Sequence, residues 1–221
     1  MVSKTNRRRS GSGHRAEDLE LKDVLEQIKQ GHDIHDKEFD RFLLSEARAF
    51  SKIYWTPIAV ARRAAELLVA SPETRVLDVG SGAGKFCLIG ALTTKAHFTG
   101  IEQNQKLVTM AKALGQRCAL SNVSFMCGDA LAADWRQWHA YYLFNPFAAE
   151  FEASTKSIHA NAIAGERHVD MVNIAMDKLE QAPSGTKAAI YWGMGGRLPP
   201  SWAHDYSESF GSGSLEVWVK R

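Results

Sequence analysis

Apolar residues recur every three or four positions through the first third of the chain, a spacing that lines one face of a helix. A first helix is predicted over residues 17–30 with a C-terminal cap at Gly31, and a second over residues 36–50. In a third helix, Thr56 is the expected N-cap and Pro57 takes the first helical position, where a missing N–H is harmless. The apolar faces of the first two helices consist of Leu19, Leu21, Val24, Leu25, Ile28, Phe39, Phe42, Leu43 and Phe50.

Short apolar runs alternate with helical stretches from Arg75 onward. The first five predicted strands cover residues 75–79, 96–102, 123–129, 140–146 and 186–194. Repeated strand–helix units imply a parallel sheet, whereas residues 203–210 and 214–221 are joined too tightly for a crossover and form a hairpin. The predicted fold is α/β, a doubly wound, mostly parallel seven-stranded sheet that ends in an antiparallel β-hairpin and follows an N-terminal helical extension.

Charge is distributed unevenly along the 221 residues, which carry 27 basic and 25 acidic side chains. Residues 1–16 hold five of the basic residues and no acid, so the remainder, with 22 basic and 25 acidic residues, has a net charge of −3. We expect residues 1–16 to form a disordered basic tail. The tail is a candidate for contact with RNA or DNA, although a solvated arm is the simpler interpretation. Residues 17–53 are then the helical extension and residues 54–221 the main domain.

The chain contains no stretch near the roughly 18 apolar residues of a membrane span, and no apolar segment follows its basic N-terminus. We therefore expect a cytoplasmic protein without membrane contact. Cys87, Cys118 and Cys127 form no CxxC pair, and their odd number gives no disulfide framework, so buried reduced thiols are expected. The oligomeric state is not indicated by the sequence.

A glycine-rich loop, VLDVGSGAGKF at residues 76–86, follows the first predicted strand. Val79 and Phe86 break the spacing of a triphosphate-binding P-loop, and Lys85 stands where a dinucleotide loop has its third glycine. Asp78 would repel a pyrophosphate and favour a cation, while the glycines indicate close approach to the backbone. S-adenosylmethionine, with a cationic amino-acid end and a nucleoside end, fits both signals.

Acidic residues also end the next two predicted strands. Glu102 lies 22 residues after Gly80, where an acid at a strand tip accepts both hydroxyls of a ribose, although a helix-capping acid is the alternative. Asp129 ends the third strand, where its side chain or the adjacent backbone would contact the adenine amino group. As a single feature, Asp129 would be an ordinary turn residue.

Taken in order, VLDVGSGAGKF, FTGIEQN, VSFMCGDA, YYLFNPF and a terminal hairpin resemble the class I, seven-stranded, Rossmann-like S-adenosylmethionine-dependent methyltransferases. The resemblance covers about residues 54–221 and implies S-adenosyl-L-methionine as cofactor. By position, it implies cofactor contacts at Thr56, Asp78, Gly80, Ser81, Gly82, Glu102, Gln103, Asp129, Ala130 and Asn145.

The end of the fourth strand, YYLFNPFA, is similar to the N-P-P-Y/F motif of methyltransferases that act on planar amino groups. The resemblance implies catalytic roles for Asn145, Pro146 and Phe147. Phe147, however, replaces the second proline, and Ala148 replaces the aromatic residue. A similar Asn-x-Phe ending occurs in protein-lysine methyltransferases, so the acceptor is not identified. The motif favours a nitrogen of a nucleic-acid base or of a protein side chain, and a small metabolite stays open. Alternatively, Pro146 only ends the strand and Phe147 packs in the core.

Two other functions stay open at this point. The incomplete NPFA motif is compatible with a non-catalytic S-adenosylmethionine-binding or scaffolding module, and an NAD-dependent oxidoreductase is disfavoured by Asp78 and Lys85. Tyr54 and Trp55 are candidates for a lid over the site or for anchors of the helix that follows. No metal site is predicted, because the acids and histidines of residues 31–36, including Asp36, lack a further ligand set and are expected to form a solvated turn.

Overall fold

The structure is a computed structural model that describes residues 10–43, 55–144, 158–194 and 196–221. Its α-helices are α1 (Ser10–Lys29), α2 (Asp36–Asp40), α3 (Ile58–Leu68), α4 (Lys85–Thr93), α5 (Gln105–Arg117) and α6 (Ile158–Glu180). Its strands are β1 (Arg75–Val79), β2 (His97–Glu102), β3 (Val123–Cys127), β4 (Ala140–Phe144), β5 (Lys187–Tyr191), β6 (Trp202–Phe210) and β7 (Gly213–Lys220). A short 3₁₀ helix covers Trp135–Gln137.

The strands form one sheet in the order β3-β2-β1-β4-β5-β7-β6. Strands β1 to β5 are parallel, and β7 runs antiparallel between β5 and β6. The predicted fold class is therefore confirmed, including the terminal hairpin. Strand β1 lies between β2 and β4, so chain order reverses there and leaves a crevice at the carboxyl ends of the strands. Open α/β sheets bind their ligands at such a switch point.

Two hydrophobic clusters cover the two faces of the sheet, because successive side chains of a strand point to opposite faces. On β1, Val76 belongs to the cluster that includes residues of α1 to α5, and Leu77 belongs to the cluster around α6 and the 3₁₀ helix. On β4, Tyr142 belongs to the first of these clusters and Tyr141 to the second, and both are fully buried. The sheet is thus wound on both faces and fixes the position of each strand tip.

The end of α1 agrees with its prediction. Gly31 has φ +84°, its N–H donates to the Ile28 carbonyl at 3.1 Å, and the His32 N–H donates to the Gln27 carbonyl at 3.0 Å. This pair of hydrogen bonds is a Schellman motif, in which glycine is favoured because of its left-handed backbone.

The start of α3 differs from its prediction. The helix begins at Ile58 with Pro57 as N-cap, and no side chain of the cap accepts a hydrogen bond. Instead, the carboxylate of Asp36 accepts the Ile58 N–H at 2.9 Å. Thr56 is not the N-cap, because its hydroxyl pairs with the Tyr142 hydroxyl at 2.9 Å.

Other boundaries in the N-terminal region also differ. Helix α1 begins at Ser10, within the segment predicted as a disordered tail. Helix α2 ends at Asp40 rather than continuing to residue 50, and residues 44–54 lie outside the described part of the chain. Leu19 is exposed on α1 rather than buried, and Cys127, on the edge strand β3, is exposed, unlike Cys87.

Within the described residues, we find no helix with the length and apolarity of a membrane span.

We expect Gly90→Ala to destabilise the protein and Gly115→Ala to stabilise it, although both residues lie in helices. A Cβ at Gly90 would overlap the ring of buried Phe98, and such overpacking costs about 1–3 kcal/mol. A Cβ at Gly115 would make ordinary contacts at 3.5 Å or more, so the variant gains roughly 0.5–1 kcal/mol from helix propensity. Urea unfolding of the three proteins measures both changes. Equal stability of the two variants would contradict the packing of α4 on β2.

Candidate active site

The glycine-rich loop folds back over the end of β2. Gly80, Gly82 and Gly84 have φ values of +75°, +53° and +81°, a left-handed conformation that side chains other than glycine rarely adopt. The N–H groups of Gly80 and Ser81 both donate to the Ile101 carbonyl, at 3.0 and 3.1 Å. The turn is therefore held by backbone hydrogen bonds, and two of its residues, Gly80 and Ser81, line a pocket.

Asp78 lies at the tip of β1, between Gly100 of β2 and Tyr142 of β4 in the sheet register. The residue is only 4% exposed, and its carboxylate accepts a hydrogen bond from the Cys87 thiol at 3.4 Å. Burial raises the pKa of Asp78 to about 7, the Cys87 hydrogen bond lowers it, and the negative charge of Glu102 raises it. The buried carboxylate has no cationic partner among the described residues, so a ligand with a positive charge would stabilise its ionised form.

Glu102 ends β2 and lies against the glycine turn. One carboxylate oxygen accepts the Gly82 N–H at 3.0 Å, and the other accepts the Asn104 N–H at 2.8 Å. The side chain thus ties the turn to the start of α5. Because each carboxylate oxygen has two lone pairs, both oxygens retain an acceptor site for a ligand.

A pocket opens beside the turn at the tips of β1 and β4. It is lined by Trp55, Thr56, Asp78, Gly80, Ser81, Lys85, Phe86, Tyr142 and Phe144. Tyr142 and Phe86 stack with ring centroids 3.8 Å apart, and burial raises the pKa of Tyr142 well above its usual value, so its hydroxyl stays neutral. Trp55 packs on the turn, since a Cβ at Gly82 would lie 3.8 Å from its Nε1.

Lys85 joins the N-terminal extension to this pocket. Its buried ammonium lies 2.5 Å from a carboxylate oxygen of Asp36 and 2.8 Å from one of Asp40. The same Asp36 oxygen also accepts the Ile58 N–H, so a single group holds the starts of α3 and α4 together. Asp36 is therefore a partly exposed member of the ion-pair cluster around the buried Lys85 ammonium rather than part of a fully solvated turn. The residues that the structure describes contain no group of side chains suited to a metal ion.

The remaining predicted residues lie along the tips of β2 and β3 or outside the described ranges. Asp129 is exposed and its carboxylate accepts the Leu131 N–H at 2.8 Å, while the Ala130 carbonyl accepts the Trp135 indole N–H at 2.8 Å. The Gln103 carbonyl accepts a bond from the Cys127 thiol at 3.5 Å. Asn145, Pro146, Phe147 and Tyr54 belong to the ranges that the structure does not describe.

Sequence reasoning missed Lys85, Phe86 and Tyr142 as residues of the pocket. One signal for Lys85 was available, because it begins a helix, KFCLIGALT, that is otherwise wholly apolar or small. A charge in such a helix requires a buried partner. The identity of that partner depends on long-range packing and was not readable from spacing.

The pocket has two features that fit a cationic nucleoside ligand. The acid Asp78 lines it directly and Glu102 lies against the adjacent glycine turn, whereas the lining cation, Lys85, is paired with Asp36 and Asp40. The Ser81 hydroxyl is buried and has no hydrogen-bond partner among the described residues. A buried hydroxyl without a partner costs free energy, so the site suits a ligand with polar groups.

Comparison with known proteins agrees with this geometry. Residues 70–147 match a family model described as a methyltransferase domain. An RNA methyltransferase from Salinibacter ruber, solved with S-adenosyl-L-homocysteine, has 21% identity and a TM-score of 0.55, with 75% of this chain and 92% of that chain covered. TrmN from Thermus thermophilus has 20% identity and a TM-score of 0.56, with 82% of this chain covered, and this chain spans about half (53%) of that protein. No protein of curated function matches the sequence.

These matches confirm the fold predicted from the motifs. The chain has the Rossmann-like fold of class I methyltransferases, and its residues 70–147 are similar to a methyltransferase-domain family. The matched segment contains the glycine turn, Asp78 and Glu102.

We expect Asp78 to make the ligand-free protein less stable as the pH rises. The pKa of Asp78 is raised to about 7 in the folded state from 3.8, so the native protein retains a proton that the unfolded chain has lost. The contribution of Asp78 to the free energy of unfolding is therefore fully present below pH 4. It falls as the pH rises towards 7, by at most about 1.4 kcal/mol per pKa unit. Asp78→Asn removes this dependence and is more stable than the wild type at pH 8. Urea unfolding at pH 5, 6, 7 and 8 measures the difference, and parallel curves would contradict it.

Proposed function

We propose that this protein binds S-adenosylmethionine in the pocket at the tips of β1 and β4 and transfers its methyl group to a nitrogen of an RNA base. The observation that carries the proposal is the pairing of a buried, uncompensated Asp78 with an open glycine turn and Glu102 on the neighbouring strand. This arrangement disfavours a phosphate and favours a ligand with a cationic end and a ribose.

Each part of the cofactor has a residue of suitable chemistry. Asp78 lies where a cationic amino-acid end gains most from a buried carboxylate. Glu102 is the acceptor for the ribose hydroxyls, and the backbone around Gly80 allows close approach of the ligand. Asp129 and Ala130, at the tip of β3, are proposed to contact the adenine of the cofactor. Thr56 and Trp55 form a wall of the pocket next to the turn.

S-adenosylmethionine supplies a methyl group on a positively charged sulfur, which is already a good electrophile. The protein therefore needs mainly to align the acceptor nitrogen with the methyl carbon and to exclude water. Trp55, Phe86, Tyr142 and Phe144 give the pocket apolar walls that serve the second purpose. Asn145, which directly follows β4, is proposed to orient the acceptor by accepting its N–H bonds. The acceptor nitrogen would bond to the methyl carbon as the carbon–sulfur bond breaks, its electron pair would return to sulfur in the neutral S-adenosylhomocysteine that leaves, and the nitrogen's proton would pass to solvent, with no protein base assigned.

Three observations favour an RNA base as the acceptor. The NPF sequence after β4 is similar to motifs that hold planar amino groups. One solved structure of the same fold is an RNA methyltransferase, and the match to this chain covers 92% of its length. The arginine-rich first residues have a net positive charge, whereas the rest of the chain has a net charge of −3, and phosphate backbones attract basic segments.

We expect Glu102→Ala to weaken S-adenosylmethionine binding strongly. The variant loses two charge-assisted hydrogen bonds to the ribose, each of about 1.5–3 kcal/mol, and also releases the Gly82 N–H of the turn. Isothermal titration calorimetry measures the affinity. Glu73→Ala is the matched control, because Glu73 is an exposed acid before the amino end of β1. Unchanged affinity of Glu102→Ala would rule out the ribose role.

We expect the protein to transfer labelled methyl groups to RNA, and Asn145→Ala to lower the rate about 10²-fold or more while keeping cofactor affinity. The assay offers RNA, DNA, protein and metabolite fractions in parallel with labelled cofactor. Transfer to protein alone would overturn the RNA assignment. Cofactor binding without transfer to any fraction would instead favour the non-catalytic module. Equal loss of binding and turnover in Asn145→Ala would make this residue a cofactor or structural residue.

A further inference from the structure

One exposed tryptophan is not explained by the cofactor pocket. Trp192 directly follows β5 and is 53% exposed, although tryptophan is usually largely buried. Its backbone has φ +64°, in the left-handed region, which is unfavourable for a large side chain. Strain of this kind concentrates at functional sites.

The neighbouring hairpin holds Trp192 in this conformation. Its N–H donates to the Ser214 carbonyl at 3.3 Å. A Cβ at Gly213, the first residue of β7, would overlap the indole of Trp192, so glycine is required there for the ring to lie against the hairpin backbone. The indole is thus fixed on one side and open to solvent on the other.

Trp192 also lies at the edge of the sheet where the proposed chemistry takes place. Tyr191, the preceding residue, pairs in register with Phe144 of β4, and the two rings are 5.1 Å apart. Phe144 itself lines the cofactor pocket. Trp192 therefore stands one residue beyond the strand pair that borders the pocket.

The loop after Trp192 carries a cation. Arg197 is exposed and forms no ion pair with the residues that the structure describes. A planar, open aromatic ring followed by an available guanidinium is the combination that binds a base and its phosphate in single-stranded nucleic acids.

We propose that Trp192 is a stacking platform for an unpaired base of the RNA substrate, next to the nucleotide that is methylated. The inference rests on the proposed function and extends it, since it predicts that the substrate is single-stranded around its target. The indole presents one open π-face, and base–aromatic stacking of this kind tolerates any base. Trp192 would then contribute affinity for RNA but neither cofactor binding nor the methyl-transfer step.

The direct test measures binding of a fluorescently labelled single-stranded RNA by anisotropy in the presence of S-adenosyl-L-homocysteine. We expect Trp192→Ala to weaken RNA binding about ten- to a hundredfold, and Trp192→Phe, which keeps an aromatic face, to retain most of it. Gly213→Ala keeps the tryptophan but displaces its ring, so it should weaken binding as well. Ile174→Ala, which truncates an exposed apolar residue on α6, is the matched control and should bind like the wild type.

Two further readouts separate stacking from a structural role. Calorimetric affinity for S-adenosylmethionine should be unchanged in Trp192→Ala, Trp192→Phe and Ile174→Ala, and in the methylation assay Trp192→Ala should raise KM for RNA without lowering kcat. Tryptophan emission of the wild type should be quenched by RNA more than that of Trp192→Phe. RNA affinity unchanged in both Trp192→Ala and Gly213→Ala would overturn the proposal, as would binding of protein rather than RNA through this residue. Failure of the proposed function is seen separately, as absence of methyl transfer by the wild type.

Discussion

The fold places the carboxylate of Asp78 in a buried position near the tip of β1, and the candidate site is organised around it. Strand β1 lies between β2 and β4, so the residue is flanked by strand tips on both sides. Burial without a cationic partner is unfavourable, as the raised pKa of Asp78 shows. The glycine turn then leaves the backbone above this charge open. The same burial that destabilises the ligand-free protein makes the carboxylate selective for a positive ligand.

The N-terminal extension is a structural part of this site. Lys85 follows the glycine turn, and its ammonium is held by Asp36 and Asp40 from the extension. Asp36 also caps α3, and the residues just before α3, Trp55 and Thr56, line the pocket. One ion-pair cluster therefore connects the turn, the extension and a wall of the pocket. It also satisfies the charge of Lys85 locally, so that this cation does not neutralise Asp78.

Local sequence patterns predicted most of the fold, whereas the wrong predictions concern residues whose roles depend on long-range contacts. The bounds of β1 were predicted to the residue, because a short apolar run bounded by Thr74 and the glycine turn has few alternatives. Gly31 was predicted as a cap for the same local reason. The prediction of Thr56 as the N-cap of α3 was wrong, because the carboxylate of Asp36 accepts the N–H of Ile58, 22 residues later in the sequence. The motifs identified Asp78 and Glu102, but Tyr142 joined the pocket only through strand order, which spacing does not reveal.

The two edges of the parallel strands differ in how well their polar groups are satisfied. At the amino edge, the Arg75 N–H donates to His139 Nδ1 at 3.1 Å, and the Arg75 guanidinium donates to the Gln137 carbonyl at 2.8 Å. At the carboxyl edge, the described residues supply neither a countercharge for the buried Asp78 nor a partner for the Ser81 hydroxyl, and Trp192 has a strained backbone. Unfavourable features of this kind persist where a ligand relieves them. Because Asp78 and Ser81 lie at the tip of β1 and Trp192 lies beyond β5, the proposed cofactor would contact the first two residues and the proposed RNA base the third.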